Sequence, residues 1–292
     1  MLVSCLGDIM LDVIVDVPNG LVSDDDTPAR ITFAAGGQAA NVAAWVSALG
    51  GQPRVFGPRS DSGNGRLVDE ALAAAGVEVH GPFTAHPGTV MSLVTDGSRS
   101  MASDLGTSDW LEQVAAGPWL EDAGWLFVSG YALLRAPHPE RIVELADTAR
   151  SAGTRVAVDL SSAAMISEYG AARFRQLWQA LGPEVIFAND QEWAATHGGR
   201  SESEVPSFGA GGTSVLVLKH GTAGCTFVID GIGDDRTPAP GPVHDVTGAG
   251  DALAAGFLLD GTDLAMEAAA RCVAQLGAQP RGAKAETGAE TP

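Results

Sequence analysis

"DVTGAGDALAAGF", residues 245–257, runs a Gly-Ala-Gly turn directly into an Ala/Leu helix. Small residues at 248–250 let successive backbone N–H groups approach a ligand. The positive end of the helix dipole lies at the same point, so the element suits anionic phosphate oxygens. Asp251, in the first turn, has two readings: a helix cap, or an acceptor for the proton of a hydroxyl that attacks a phosphate. Outward from this stretch, short β-branched runs alternate with Ala/Leu-rich segments. "VIVDV", "RVFG", "WLFVSG", "RVAVDL", "EVIFAN" and "SVLVLK" read as strands, several of them apolar throughout and therefore buried on both faces. "NVAAWVSALG", "GRLVDEALAAAG", "PERIVELADTARSAG" and "ALAAGFLLDG" read as helices stopped by glycine. The sum is an α/β fold, a doubly wound and mostly parallel sheet with helices on both faces.

One part breaks the rhythm: residues 9–17, 30–33 and 88–102 read as strands without intervening helices, the pattern of a small antiparallel β lid beside the main sheet. The expectation is a single domain over 1–292 carrying that lid, with a small, polar, loosely held tail from about 281. Seventeen basic against 36 acidic residues give a net charge of −19, which repels phosphate backbones and anionic lipid, so nucleic acid and membrane are not expected partners. "LVSC" at 2–5 cannot hold both parts of a leader, no apolar stretch reaches about 18 residues, and Cys5, Cys225 and Cys272 are scattered. Buried free thiols in a cytoplasmic protein are expected. Neither Lys219 nor Lys284 follows a glycine, which excludes a Walker A loop. "GNGRLV" at 63–68 lacks the third glycine of a dinucleotide fingerprint, and the histidines have no zinc spacing.

The string Asp245 to Asp251 closely resembles the C-terminal signature D-T-x-G-A-G-D of the ribokinase-like (PfkB) carbohydrate kinases, with Val246 where threonine is common. Three further strings occur in the family's order. "GGQAAN", Gly36 to Asn41, is similar to the substrate signature; "NDQE", Asn189 to Glu192, to the N-x-x-E motif; "KHGTAG", Lys219 to Gly224, to the nucleotide loop. The resemblance implies an ATP-dependent kinase that passes the γ-phosphate to a hydroxyl. In it Gly248, Ala249 and Gly250 form the anion hole and Asp251 is the base. Asn189, Lys219, Gly221, Thr222, Ala223 and Gly224 serve the nucleotide, and Glu192 serves Mg²⁺ through water. It also implies that Asp245, with the segment Arg281 to Ala283, can enclose K⁺.

At the N-terminus "GDIMLDVIV" places Asp8, Met10 and Asp12 on one face of a strand, where acids are otherwise disfavoured. Asp12 matches the family's sugar-hydroxyl acceptor. Gly36 and Gly37 bring backbone close to a polyol, and Asn41 offers both donor and acceptor. Met10 and Gln38 stand where close ribokinases carry asparagine and lysine, which argues against ribose. A sugar or sugar acid is the expected acceptor. The alternatives are a nucleoside, for which Phe33 is the main stacking candidate in the lid, and an inactive sugar-binding regulator. A homodimer through the β lid is a further expectation.

Overall fold

The computed structural model describes residues 1–17, 19–95, 98–197 and 215–281, and the predicted tail lies outside these apart from Arg281. The strands in chain order are β1 (Leu2–Leu6), β2 (Met10–Asp16), β3 (Arg30–Gly36), β4 (Gln52–Phe56), β5 (Glu78–His80), β6 (Gly88–Thr95), β7 (Ser98–Asp104), β8 (Trp125–Ser129), β9 (Arg155–Asp159), β10 (Val185–Asn189), β11 (Val215–Lys219), β12 (Cys225–Ile229) and β13 (Ile232–Arg236). The helices are α1 (Gln38–Ala48), α2 (Gly63–Ala74), α3 (Gly130–Arg135), α4 (Glu140–Ser151), α5 (Ala163–Tyr169), α6 (Ala171–Ala180), α7 (Asp190–His197), α8 (Ala249–Asp260) and α9 (Thr262–Val273).

Nine strands form the large sheet in the order β13-β12-β11-β10-β9-β8-β1-β4-β5. It is parallel from β11 to β5, and β12 and β13 are antiparallel. All five residues of β8 are buried, as a strand covered on both faces requires. On one face Val3, Cys5, Phe127 and Phe187 pack with the alanine-rich α1 and α8 and with α2 and α9. On the other, Leu126, Val128, Ile186 and Leu216 pack with side chains of α3 to α7, Trp178 and Trp193 among them. All three cysteines are buried and unpaired. The sequence patterning missed β1, whose "LVSCL" sits at the chain's start, the short β5, and the hairpin of the largely buried β12 with the exposed β13.

The small sheet has the order β3-β2-β6-β7. Its outer pairs are antiparallel as expected, while β2 and β6 run parallel. β3 continues through Ala34, Ala35 and Gly36, weak strand formers held by pairing to Asp12, Leu11 and Met10. β7 likewise runs on to Asp104, opposite Thr89. Asp8 is not on a strand. It lies in the connection from β1 to β2, where the chain leaves one sheet for the other.

Asp8 is 3% exposed and forms an ion pair of 2.8 Å with Arg135 at the end of α3. The same guanidinium donates to the carbonyls of Leu105 (2.8 Å) and Gly106 (3.1 Å), just past β7. One cation therefore ties the chain's entry to the small sheet to its exit. Removing it by Arg135→Met would strand a buried carboxylate, so the expected loss is about 3–5 kcal/mol, read as a fall in Tm. Asp8→Asn together with Arg135→Met should cost less than Arg135→Met alone.

Candidate active site

Parallel strands deliver their carboxyl ends to one edge of the sheet, and the order reverses at β1, so a crevice opens outside those ends. The residues that close the strands there are polar: Ser129 ends β8, Asp159 ends β9, Asn189 ends β10 and Lys219 ends β11. The inner face of the small sheet covers them. Asp12 pairs with Ala34 and Val90, and Val90 with Ser103, so these side chains share the face that looks into the crevice. The open cleft between the two sheets has a volume of about 590 Å³.

Of the residues singled out in the sequence, the cavity brings together Asp12, Gly37, Asn41, Asn189, Glu192, Lys219, Gly248 and Asp251. Gly36 stands directly behind Asp12, where an added Cβ would lie 2.1 Å from its carboxylate. Gly37 has φ 92°, a backbone that favours glycine, and caps α1. Gly248 has φ 75° and caps α8, with Ala278 filling the space a side chain would need. Ala249 and Gly250 continue into α8, where the Ala249 amide donates to the Val246 carbonyl at 3.3 Å. Gly221 to Ala223 form an exposed turn leading to Gly224 and β12, and none of the four lines the cavity. Asp245 is buried and accepts from the amides of Thr247 and Gly277, both at 2.9 Å. It joins two loops beneath the turn. The other part of the expected K⁺ segment, Gly282 and Ala283, lies outside the described residues.

Asp251 is held by Asn41, whose Nδ2 donates to it at 2.8 Å, and Asn41 in turn accepts from Gln279 at 2.9 Å. Burial pushes the Asp251 carboxyl up to about 7; the Asn41 bond and Lys219 pull it down, while Asp159 and Asp12 push it further up. Lys219 donates to Asp159 at 2.6 Å. Burial opposes the Lys219 charge, but Asp159 and Glu192 more than offset this and hold the ammonium above its usual range. Glu192 and Asn189 close a ring: Glu192 accepts from the amide and the Nδ2 of Asn189, and Asn189 Oδ1 accepts from the Glu192 amide, each at 2.8 Å. Burial raises the Glu192 carboxyl as well.

Asp159, Ser161 and Tyr131 line the cavity and were not singled out in the sequence. An acid at the very end of the apolar run "RVAVDL" was the available signal for Asp159. Phe33 does not face the cavity. It pairs with Val13, on the face opposite Asp12, and is 58% exposed.

Among the described residues, no group of three or more His, Cys, Asp or Glu side chains is placed to hold a metal directly. Glu192 fits a more distant role. It is a fixed carboxylate on the cavity wall beside Asp159, suited to a hydrated Mg²⁺ whose other ligands are phosphates and water.

A family model described as pfkB family carbohydrate kinase matches residues 1–284. The chain belongs to the PfkB family. This kinase is 31% identical over 234 residues to an ATP-dependent ribose-1-phosphate kinase of Halopiger xanaduensis, covering 76% of this chain and 72% of that protein. Its fold is similar to a structure of adenosine kinase from Sinorhizobium meliloti (TM-score 0.79, 24% identity, 95% of both chains). A probable sugar kinase from Rhizobium etli is also similar (TM-score 0.81, 23% identity, 96% of this chain and 95% of that one). The kinase is an ATP-dependent phosphotransferase with a hydroxyl acceptor. No helix among the described residues is long and apolar enough to cross a membrane.

A carboxyl pushed up to about 7 against an ordinary 3.8 destabilises the folded kinase. The penalty is absent below pH about 4, grows between pH about 4 and 7, and is complete above. Asp251→Asn escapes it and keeps the acceptor for Asn41. Its Tm should exceed the parent's at pH 8, by the equivalent of roughly 1–3 kcal/mol, with the difference closing toward pH 4. Thermal melts of both proteins across that range check it.

Proposed function

We propose that the kinase transfers the γ-phosphate of MgATP to a hydroxyl of a sugar or sugar acid, with Asp251 as general base. The observation that carries this reading is Asp251 itself: a carboxylate at the amino end of α8, facing the cavity, with a pKa brought to about 7 and an orientation fixed by Asn41. A base poised near neutral pH can take a hydroxyl proton while the freed oxygen attacks phosphorus and ADP departs with the electrons of the broken P–O bond.

Asp12 and Asn41 accept and donate hydrogen bonds to the acceptor's neighbouring hydroxyls, and Gly37 lets backbone approach. The backbone of 248–250 and the α8 dipole meet the developing negative charge. Lys219 adds a fixed cation at the phosphate end, with Asn189 beside it, and the turn from Gly221 to Gly224 serves the nucleotide beyond the cavity. Mg²⁺, held through water by Glu192, would neutralise phosphate charge.

A nucleoside is the second reading. The observation that favours it is an apolar wall of Tyr131, Val90, Met101 and Leu105 in the same cavity as Asp12, which gives a base somewhere to lie. A regulator without catalysis is the weaker account, since base, clamp and helix terminus are assembled together.

The test is ADP release from MgATP with pentoses, hexoses, sugar acids, ribose 1-phosphate and adenosine. With the preferred acceptor, kcat/KM should rise about tenfold per pH unit up to an apparent pKa near 7 and then level off. Asp251→Asn should lower kcat by about 10²–10⁴-fold while retaining ATP affinity. More than about a tenth of parental kcat in that variant excludes Asp251 as the base, and turnover persisting in excess EDTA excludes the metal.

The proposal extends to association. The outer face of the small sheet exposes Ile31, Phe33 and Met91 together, a surface that suits a second copy of the chain. Phe33→Asp should convert a dimer to a monomer in light scattering; a parent already monomeric at micromolar concentration removes the idea.

A further inference from the structure

Ser161 lies on the cavity wall, two residues past the end of β9, with a backbone φ of 70°. The other described non-glycine residues with positive φ are Asp24, Asp122 and Asp230. Aspartate tolerates that region better than serine does, because its carboxylate can bond the local backbone. A strained serine in a cavity wall therefore calls for a reason beyond turn formation.

Its bonds supply one. The Ser161 amide donates to Asp159 Oδ1 at 2.9 Å, and the other oxygen of Asp159 accepts from Lys219 at 2.6 Å. The Ser161 hydroxyl donates to Gln38 Oε1 at 2.7 Å and also lies 3.0 Å from the Asp159 carbonyl. The fully buried Ser129 hydroxyl donates to the same Gln38 oxygen at 2.5 Å. Both hydroxyls meet the same end of the Gln38 amide, which pins that end in the wall. The other end is left for the cavity that Gln38 lines beside Asp12.

We propose that Ser161 is a positioning residue with two arms: its side chain aims Gln38 at the acceptor, while its backbone holds Asp159 against Lys219 at the phosphate end. This rests on the proposed placement of the acceptor against Asp12 and Gly37. With this left-handed backbone the amide turns back to Asp159, two residues earlier, while the hydroxyl reaches Gln38, 123 residues away in the chain.

Ser161→Gly separates the arms. Glycine adopts the same φ without strain and keeps the amide, so only the hydroxyl is lost. With the best acceptor from a panel of pentoses, hexoses, sugar acids, ribose 1-phosphate and adenosine, the acceptor KM should rise roughly 5- to 10-fold, the loss expected of one neutral hydrogen bond. The KM for ATP and kcat should stay within about twofold and Tm should not fall, since the backbone arm remains. Gln38→Ala should raise the acceptor KM at least as much, and adding Ser161→Gly to it should change little further.

An unchanged acceptor KM, full additivity of the two substitutions, or a loss of Tm with parallel losses for ATP and acceptor would each overturn the role. Parental activity tests the kinase placement separately. A parent that releases no ADP with any of these acceptors overturns both.

Discussion

Five carboxylates, those of Asp8, Asp12, Asp159, Glu192 and Asp251, line one cavity, and their mutual repulsion is the constraint around which the rest is arranged. Two cations hold them. Lys219 sits on Asp159 at 2.6 Å and Arg135 on Asp8 at 2.8 Å. Glu192 is instead dispersed among the donors of Asn189, and Asp251 is left with a single neutral donor from Asn41. Asp251, with that one hydrogen-bond donor, is pushed up to about 7 by burial, and it stands at the α8 terminus, where phosphate charge is well tolerated.

The arrangement depends on backbones lying closer together than ordinary side chains allow. Gly36 makes room for the Asp12 carboxylate, and Gly248 turns against Ala278 so that α8 can begin at the cavity wall. Alanines of α1 and α8 share one core cluster against the large sheet. That packing brings Asn41 of α1 to Asp251 of α8 across 210 residues of chain. Gln279 then locks Asn41 from the third side, so the Asp251 carboxylate is oriented by three segments at once.

The sheet, its helices and the small sheet were legible because period, β-branching and glycine stops are local properties. Asp12, Asn41, Glu192 and Asp251 were legible because each sits inside a short string whose spacing survives in sequence. Asp159 and Arg135 were not, because their meaning lies in partners 60 and 127 residues away, Lys219 and Asp8. Ser161 carries no composition signal at all; its backbone angle exists only in three dimensions. Phe33 was misjudged for a related reason. Alternation says that neighbours on a strand face opposite ways, but only the pairing of Asp12 with Ala34 shows which way is inward.

The outer face of the small sheet sets up a contest of ranges. Ile31 and Phe33 offer apolar surface that attracts only on contact, while each chain carries a net charge of −19 that repels at a distance. Dissolved ions shorten the second force, to a reach of about 8 Å at physiological ionic strength, and leave the first largely intact. Self-association through this face, as proposed, would be governed by electrolyte as much as by protein concentration, so dilute buffer and concentrated brine would be different environments for the same molecule.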